Sequence, residues 1–134
     1  MRTVVLDTNV LTDNVLGFAK WVDILLLDPH YHFVVPTIVI AEYHTAQELE
    51  TSSGYKKSQS YLSSFIIQDL TFEIAQVLGK ILRRKTYVFS AGIADLIIAA
   101  TTIYLDAQLA TRNKADFAKI PGLTFFNPKN LAGG

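Results

Sequence analysis

The chain alternates short continuous apolar runs with longer stretches in which apolar residues return every three or four positions. Val4, Val5 and Leu6 form the first run, of β-branched character, and predict a strand covered on both faces. Phe33-Val34-Val35, Phe65-Ile66-Ile67, Leu109-Ala110 and Leu123-Thr124-Phe125-Phe126 are the later runs, the last bounded by Pro121-Gly122 and Asn127-Pro128. Between them the wider spacing predicts helices. Thr8 to Leu16 is the first, ended by Gly17; Phe18 to Leu27 is the second, with Phe18, Trp21, Val22 and Leu25 on one face and Asp28-Pro29 as its stop. Pro36-Thr37 opens a third, with Thr37 as N-cap. Thr51 to Gly54 reads as a loop on an exposed polar corner, with Tyr55-Lys56-Lys57 opening a further helix. Thr71 to Lys85 ends on Arg83-Arg84-Lys85, cations that complement a helix dipole. Ser90 is the N-cap expected for Ala91 to Leu105, and a brief helix follows the polar turn Thr111 to Phe117. Short apolar strands alternating with helices predict an α/β three-layer sandwich about a mainly parallel sheet, and with no linker or repeat in view residues 1–134 are expected to form a single domain.

Composition narrows the function. With 134 residues and 50% apolar content the chain can bury a substantial core without a covalent staple. The 12 basic and 12 acidic residues cancel, so bulk positive charge does not hold a polyanion here. Absence of cysteine excludes disulfides, thiolate nucleophiles and cysteine zinc sites and favours a reducing cytoplasm. Met1-Arg2 leads straight into a strand, and the longest low-charge stretch, Ala91 to Leu105, is too short to span a membrane; a soluble cytoplasmic protein is expected. The mean hydropathy of +0.27 is high for a small domain and suggests an apolar surface covered by a partner.

Four carboxylates carry the candidate chemistry. Asp7 follows the first strand at once, where it either caps the next helix or faces the ligand crevice outside the carboxyl ends of a parallel sheet. Glu42 has Ile38, Val39, Thr45 and Ala46 at helical neighbour positions and no cation among them. Asp95 is the only charge between Ala91 and Leu105, where an ionised group needs a cation or a raised pKa. Asp116 follows the strand at Leu109-Ala110. A parallel sheet gathers such positions at one edge, where clustered acids repel unless a hard divalent cation, Mg²⁺ or Mn²⁺, meets them. His30 and His32 read as a solvated loop edge, and His44 points away from Glu42.

Val-Leu-Asp-Thr-Asn at the start, Val-Ile-Ala-Glu at Glu42, Ala-Asp-Leu-Ile-Ile-Ala-Ala-Thr at Asp95 and Leu-Ala-Thr-Arg-Asn-Lys-Ala-Asp-Phe near the end together resemble the PIN domain family, the nuclease module of VapC-type toxins. The resemblance covers nearly the whole chain and implies an α/β sandwich, Mg²⁺- or Mn²⁺-dependent cleavage of RNA and an antitoxin protein that blocks the site. It makes Asp7, Glu42 and Asp95 metal ligands, with Asp116 or Asn113 in a fourth position and Thr8 and Thr111 orienting ligands or water. A homodimer is expected, with the segment around Tyr55, Lys56 and Lys57 open to RNA or antitoxin. Two rival readings are a non-catalytic interaction module and an Asp-nucleophile phosphohydrolase, though Asn9 stands where such phosphatases resemble Asp-x-Asp.

Overall fold

The computed structural model describes residues 1–45, 50–84 and 92–128. In chain order these form β1 (Arg2–Leu6), α1 (Thr8–Val15), α2 (Lys20–Leu26), β2 (Tyr31–Pro36), α3 (Thr37–Tyr43), α4 (Ser52–Leu62), β3 (Ile66–Gln68), α5 (Phe72–Arg83), α6 (Ile93–Tyr104), β4 (Gln108–Ala110) and α7 (Lys114–Phe117). The strands make one sheet in the order β3-β2-β1-β4, and every pairing in it is parallel. Val5 is level with Val34 on one side and Leu109 on the other, so β1 lies inside the sheet. Its Val4, Val5 and Leu6 are all fully buried, as are nearly all of Phe33, Val34 and Val35 in β2. Continuous rather than alternating burial means that both faces are covered, and the fold is the expected α/β/α sandwich.

The helices follow their sequence signals closely at some ends and depart from them at others. Gly17 adopts φ +87°, a left-handed conformation open to glycine at little steric cost, and it stops α1. The turn also redirects Phe18: its backbone N–H donates to Asp13 O at 2.8 Å, and its ring is 80% exposed rather than on the buried face of the second helix. That helix begins only at Lys20 and buries Val22 and Leu25. Thr37 is not the N-cap of α3. The chain passes straight from β2 into the helix, Pro36 takes the extended cap position, and no side chain caps the end. Residues expected to be a loop instead open α4, because the Thr51 hydroxyl accepts from Gly54 N at 3.0 Å and caps the first turn. Thr71 caps α5 in the same way through Ile74 N.

The segment Leu123 to Phe126 adds only a single parallel bridge between Phe125 and Leu109 rather than a full strand. Its partner β4 is three residues long, and Pro128 stops further extension. The α6 helix buries Leu96, Ile98 and Ala99 to Thr102, while Ile93 and Tyr104 at its ends are exposed. Its two buried hydroxyls return to the helix, Thr101 to Ile97 O and Thr102 to Ile98 O, both at 2.8 Å. The expected cap Ser90 and the basic residue Lys85 lie outside the described residues.

Candidate active site

The strand order places the site. From β1 the chain moves to β2 and β3 on one side and returns to β4 on the other, so the order reverses between β1 and β4. Parallel sheets open a crevice at such a reversal, outside the carboxyl ends of the two strands. Asp7 ends β1 and Thr111 ends β4, held level by the bond from Asp7 N to Ala110 O at 3.1 Å.

Asp7 is 5% exposed and fully engaged. Its Oδ1 accepts from Thr8 N at 2.7 Å, the cap of α1, while Oδ2 accepts from Thr111 Oγ1 at 2.7 Å and from Asn9 Nδ2 at 3.1 Å. Capping and convergence on the crevice are therefore both true of Asp7. Glu42 arrives on α3, and its Oε1 accepts from Thr8 Oγ1 at 2.7 Å. Consecutive residues of one tight turn, Asp7 and Thr8, thus reach across to two other elements.

Asp95 stands in the first turn of α6, half-buried. Burial raises its carboxyl pKa to about 6, helped by the negative charges of Asp7, Glu42 and Asp116. Those three causes beyond burial are the other candidate acids, so all four carboxylates lie in one electrostatic neighbourhood. No described residue forms an ion pair with Asp95. Among the described residues this acid is accommodated by a raised pKa rather than by a salt bridge.

A cleft of about 330 Å³ opens over these groups, lined by Asp7, Thr8, Glu42, Asp95, Arg112 and Asn113 among others. Asp116 is exposed on α7, outside the lining, and acts on Asp95 through its charge, whereas Asn113 is among the residues lining the cleft. Among the described residues no three acids are gathered tightly enough to grip one ion by themselves. The donor set is nonetheless all oxygen and negatively charged. Mg²⁺ keeps several waters and needs only one or two direct carboxylates, so the chemistry of the site fits such an ion.

Asn9 was visible in the sequence only as the residue that breaks Asp-x-Asp, yet it is the link between the two strand ends. Besides its bond to Asp7, its Nδ2 lies 3.4 Å from Thr111 Oγ1, and its Oδ1 accepts from Arg112 N at 3.0 Å. Thr111 Oγ1 also accepts from Asn113 N at 3.0 Å. Arg112 was likewise not singled out. The signal was the compact Asp-Thr-Asn triplet, whose every side chain is polar directly after a buried strand.

The histidines take no part. His30 Nδ1 lies 2.9 Å from Asp28 Oδ1 on the surface, and His44 Nε2 is 2.9 Å from the buried Ser58 Oγ, tying the end of α3 to α4. That α3–α4 junction borders a second, larger groove of about 760 Å³, walled by Val15, Leu16, Tyr43 and Tyr61 and joined to the acid cleft through Thr8, Thr12 and Glu42. Lys57 lines it too.

Residues 4–123 match the PIN domain family. The chain belongs to the PIN domain family. No curated protein is similar enough to count as a match. Among solved structures, the DNA-bound VapBC of Salmonella typhimurium superposes with a TM-score of 0.80 at 19% identity, covering 96% of this chain and 99% of that one. VapBC2 of Rickettsia felis, bound to a DNA fragment from its promoter, gives 0.75 at 21% identity over 93% and 98%. At those identities the likeness is one of fold. A toxin–antitoxin complex from Klebsiella pneumoniae gives 0.70 at 27% identity over 93% of this PIN domain and 97% of that chain.

Proposed function

We propose that residues 1–134 act as one metal-dependent ribonuclease domain, the toxin of a toxin–antitoxin pair. The observation that carries the reading is the elevated Asp95: burial and three other acids raise its pKa to about 6 in a crevice where a parallel sheet presents ligands. The family and its toxin–antitoxin neighbours support the same reading. Asp7, Glu42 and Asp95 would hold Mg²⁺ or Mn²⁺, with Asn113 or Asp116 in the fourth position. Such an ion, when bound, lowers the pKa of a coordinated water and stabilises charge developing on a phosphodiester.

The chain's own contribution is orientation. Three donors fix both oxygens of Asp7, and Thr8 turns Glu42 toward the same crevice. Thr111 supports Asp7 from β4 while holding Asn113 N, so the loop that carries Asn113 is set by the same hydroxyl. An aspartyl nucleophile is disfavoured by Asn9, which stands where the Asp-x-Asp pattern of such phosphatases has its second acid.

A protein partner belongs to the reading. The groove beside the acids is walled by apolar and aromatic side chains, and Val15, Leu16 and Phe18 remain 54%, 63% and 80% exposed at the end of α1. An antitoxin laid there would cover apolar surface and block the acid cleft together. The protein acts in the cytoplasm on this reading, in keeping with the absence of cysteine; among the described residues no helix is long and apolar enough to cross a membrane. The deciding experiment incubates the purified, partner-free protein with assorted RNAs and Mg²⁺ or Mn²⁺. Cleavage abolished by EDTA and by Asp95→Asn is the expected result; equal cleavage by wild type and variant would sink the proposal.

A further inference from the structure

The acid cleft is the wrong sign for its proposed substrate. A phosphodiester chain approaching Asp7, Glu42 and Asp95 meets negative charge, and a resident divalent ion offsets it only in part. One cationic side chain, Arg112, is among the residues that line the cleft. It is anchored twice. Its backbone N–H donates to Asn9 Oδ1 at 3.0 Å, which fixes the Cα relative to Asp7, and its Nε forms an ion pair with Asp13, 2.7 Å from Oδ2. The side chain is nevertheless 64% exposed. An exposed ion pair of this kind contributes little stability, typically up to about 1 kcal/mol, so stability gives only a weak account of the arrangement. Its geometric effect is larger. The contact with Asp13 is made at Nε, which draws the side chain to one side and leaves the terminal amino groups available as donors, the groups with which Arg binds phosphate oxygens two at a time.

We infer that Arg112 is a substrate-positioning residue that grips a phosphate flanking the scissile bond, with Asp13 aiming its guanidinium. The inference rests on the ribonuclease reading, and it adds the group that draws single-stranded RNA to an otherwise repulsive cleft.

The test uses the full chain and a short fluorescent single-stranded RNA, read as cleavage in Mg²⁺ or Mn²⁺ and as anisotropy in EDTA. Arg112→Ala should raise KM about tenfold with kcat within roughly threefold and Tm within about 2 °C, and it should flatten the salt dependence of binding by about one unit of slope. Arg112→Lys, which keeps the charge and loses the fork, should recover part of the KM. Asp13→Asn should raise KM about two- to threefold by releasing the guanidinium. A KM within twofold of wild type in Arg112→Ala, or a fall in Tm with kcat lost and KM unchanged, overturns the assignment and makes the residue a structural partner of Asp13. If the wild type cleaves no RNA, the ribonuclease reading fails separately. Arg112-dependent anisotropy would then uphold the phosphate contact, and absent binding would overturn both.

Discussion

Replacing Asp95 by Asn should stabilise the metal-free protein while abolishing cleavage, and the gain should depend on pH in a stated direction. In the folded chain the Asp95 pKa is raised to about 6 from an ordinary 3.8, through burial first and then through Asp7, Glu42 and Asp116. Because the folded state binds this proton more tightly than the unfolded chain, stability falls as pH rises between about 4 and 6 and stays reduced above that window. A shift of about two units sets a ceiling near 3 kcal/mol. The carboxyl is only half-buried, so solvent screening lowers this to roughly 1–2 kcal/mol. Opposing it, Asp95 lies in the first turn of α6, where a negative charge complements the helix dipole by about 0.3–1 kcal/mol that Asn gives up. Burial and repulsion win at pH 7. The expected net gain is about 0.5–1.5 kcal/mol, a rise in Tm of roughly 2–5 °C for a chain of this size, shrinking to nothing or reversing near pH 4.5. Thermal melting of both proteins in EDTA from pH 4.5 to 7.5 measures it. A variant that melts several degrees lower at pH 7, or a difference that does not change with pH, would refute the crowded-acid account and point to a structural carboxylate with a cation partner.

Thr111→Val keeps the shape of the residue but removes the hydroxyl that donates to buried Asp7 at 2.7 Å; a loss of about 1–3 kcal/mol by urea denaturation is expected, and no change would remove Thr111 from the site. Mg²⁺ or Mn²⁺ should raise the Tm of the wild type by mass action and that of Asp95→Asn by less, in differential scanning fluorimetry; equal shifts would place the ion elsewhere. Light scattering at micromolar concentration should show a homodimer, given exposed Ile66, Ile67, Leu70 and Phe72 along β3 and the start of α5, and a monomer across that range would reject it.

The first four strands and the gathering of the four acids were legible because each rests on a local signal. Val4-Val5-Leu6 can hardly be anything but a buried strand, and a lone Asp in the apolar run of α6 demands an explanation wherever it lies. Thr37, Phe18 and the last strand were misread because their outcomes depend on the chain around them: Pro36 already occupied the cap, Gly17 turned Phe18 outward, and β4 was too short to pair a full strand. Asn9 and Arg112 escaped for a different reason. Their importance lies in bonds to residues about a hundred positions away, which no local spacing encodes.

The bond between Thr111 and Asp7 joins residues 104 positions apart, and this has a meaning during synthesis. At roughly 5–20 residues per second, Asp7 is made some 5–20 seconds before the hydroxyl that orients it. Glu42 and Asp95 follow in that interval, each on its own helix, but β4 and the loop that closes the crevice come after them all. A chain whose synthesis ends before β4 lacks the hydroxyl and the loop that complete the crevice. For a protein proposed to attack RNA, the order of the chain acts as a delay: the acid cleft is completed only when nearly all of the chain has been made.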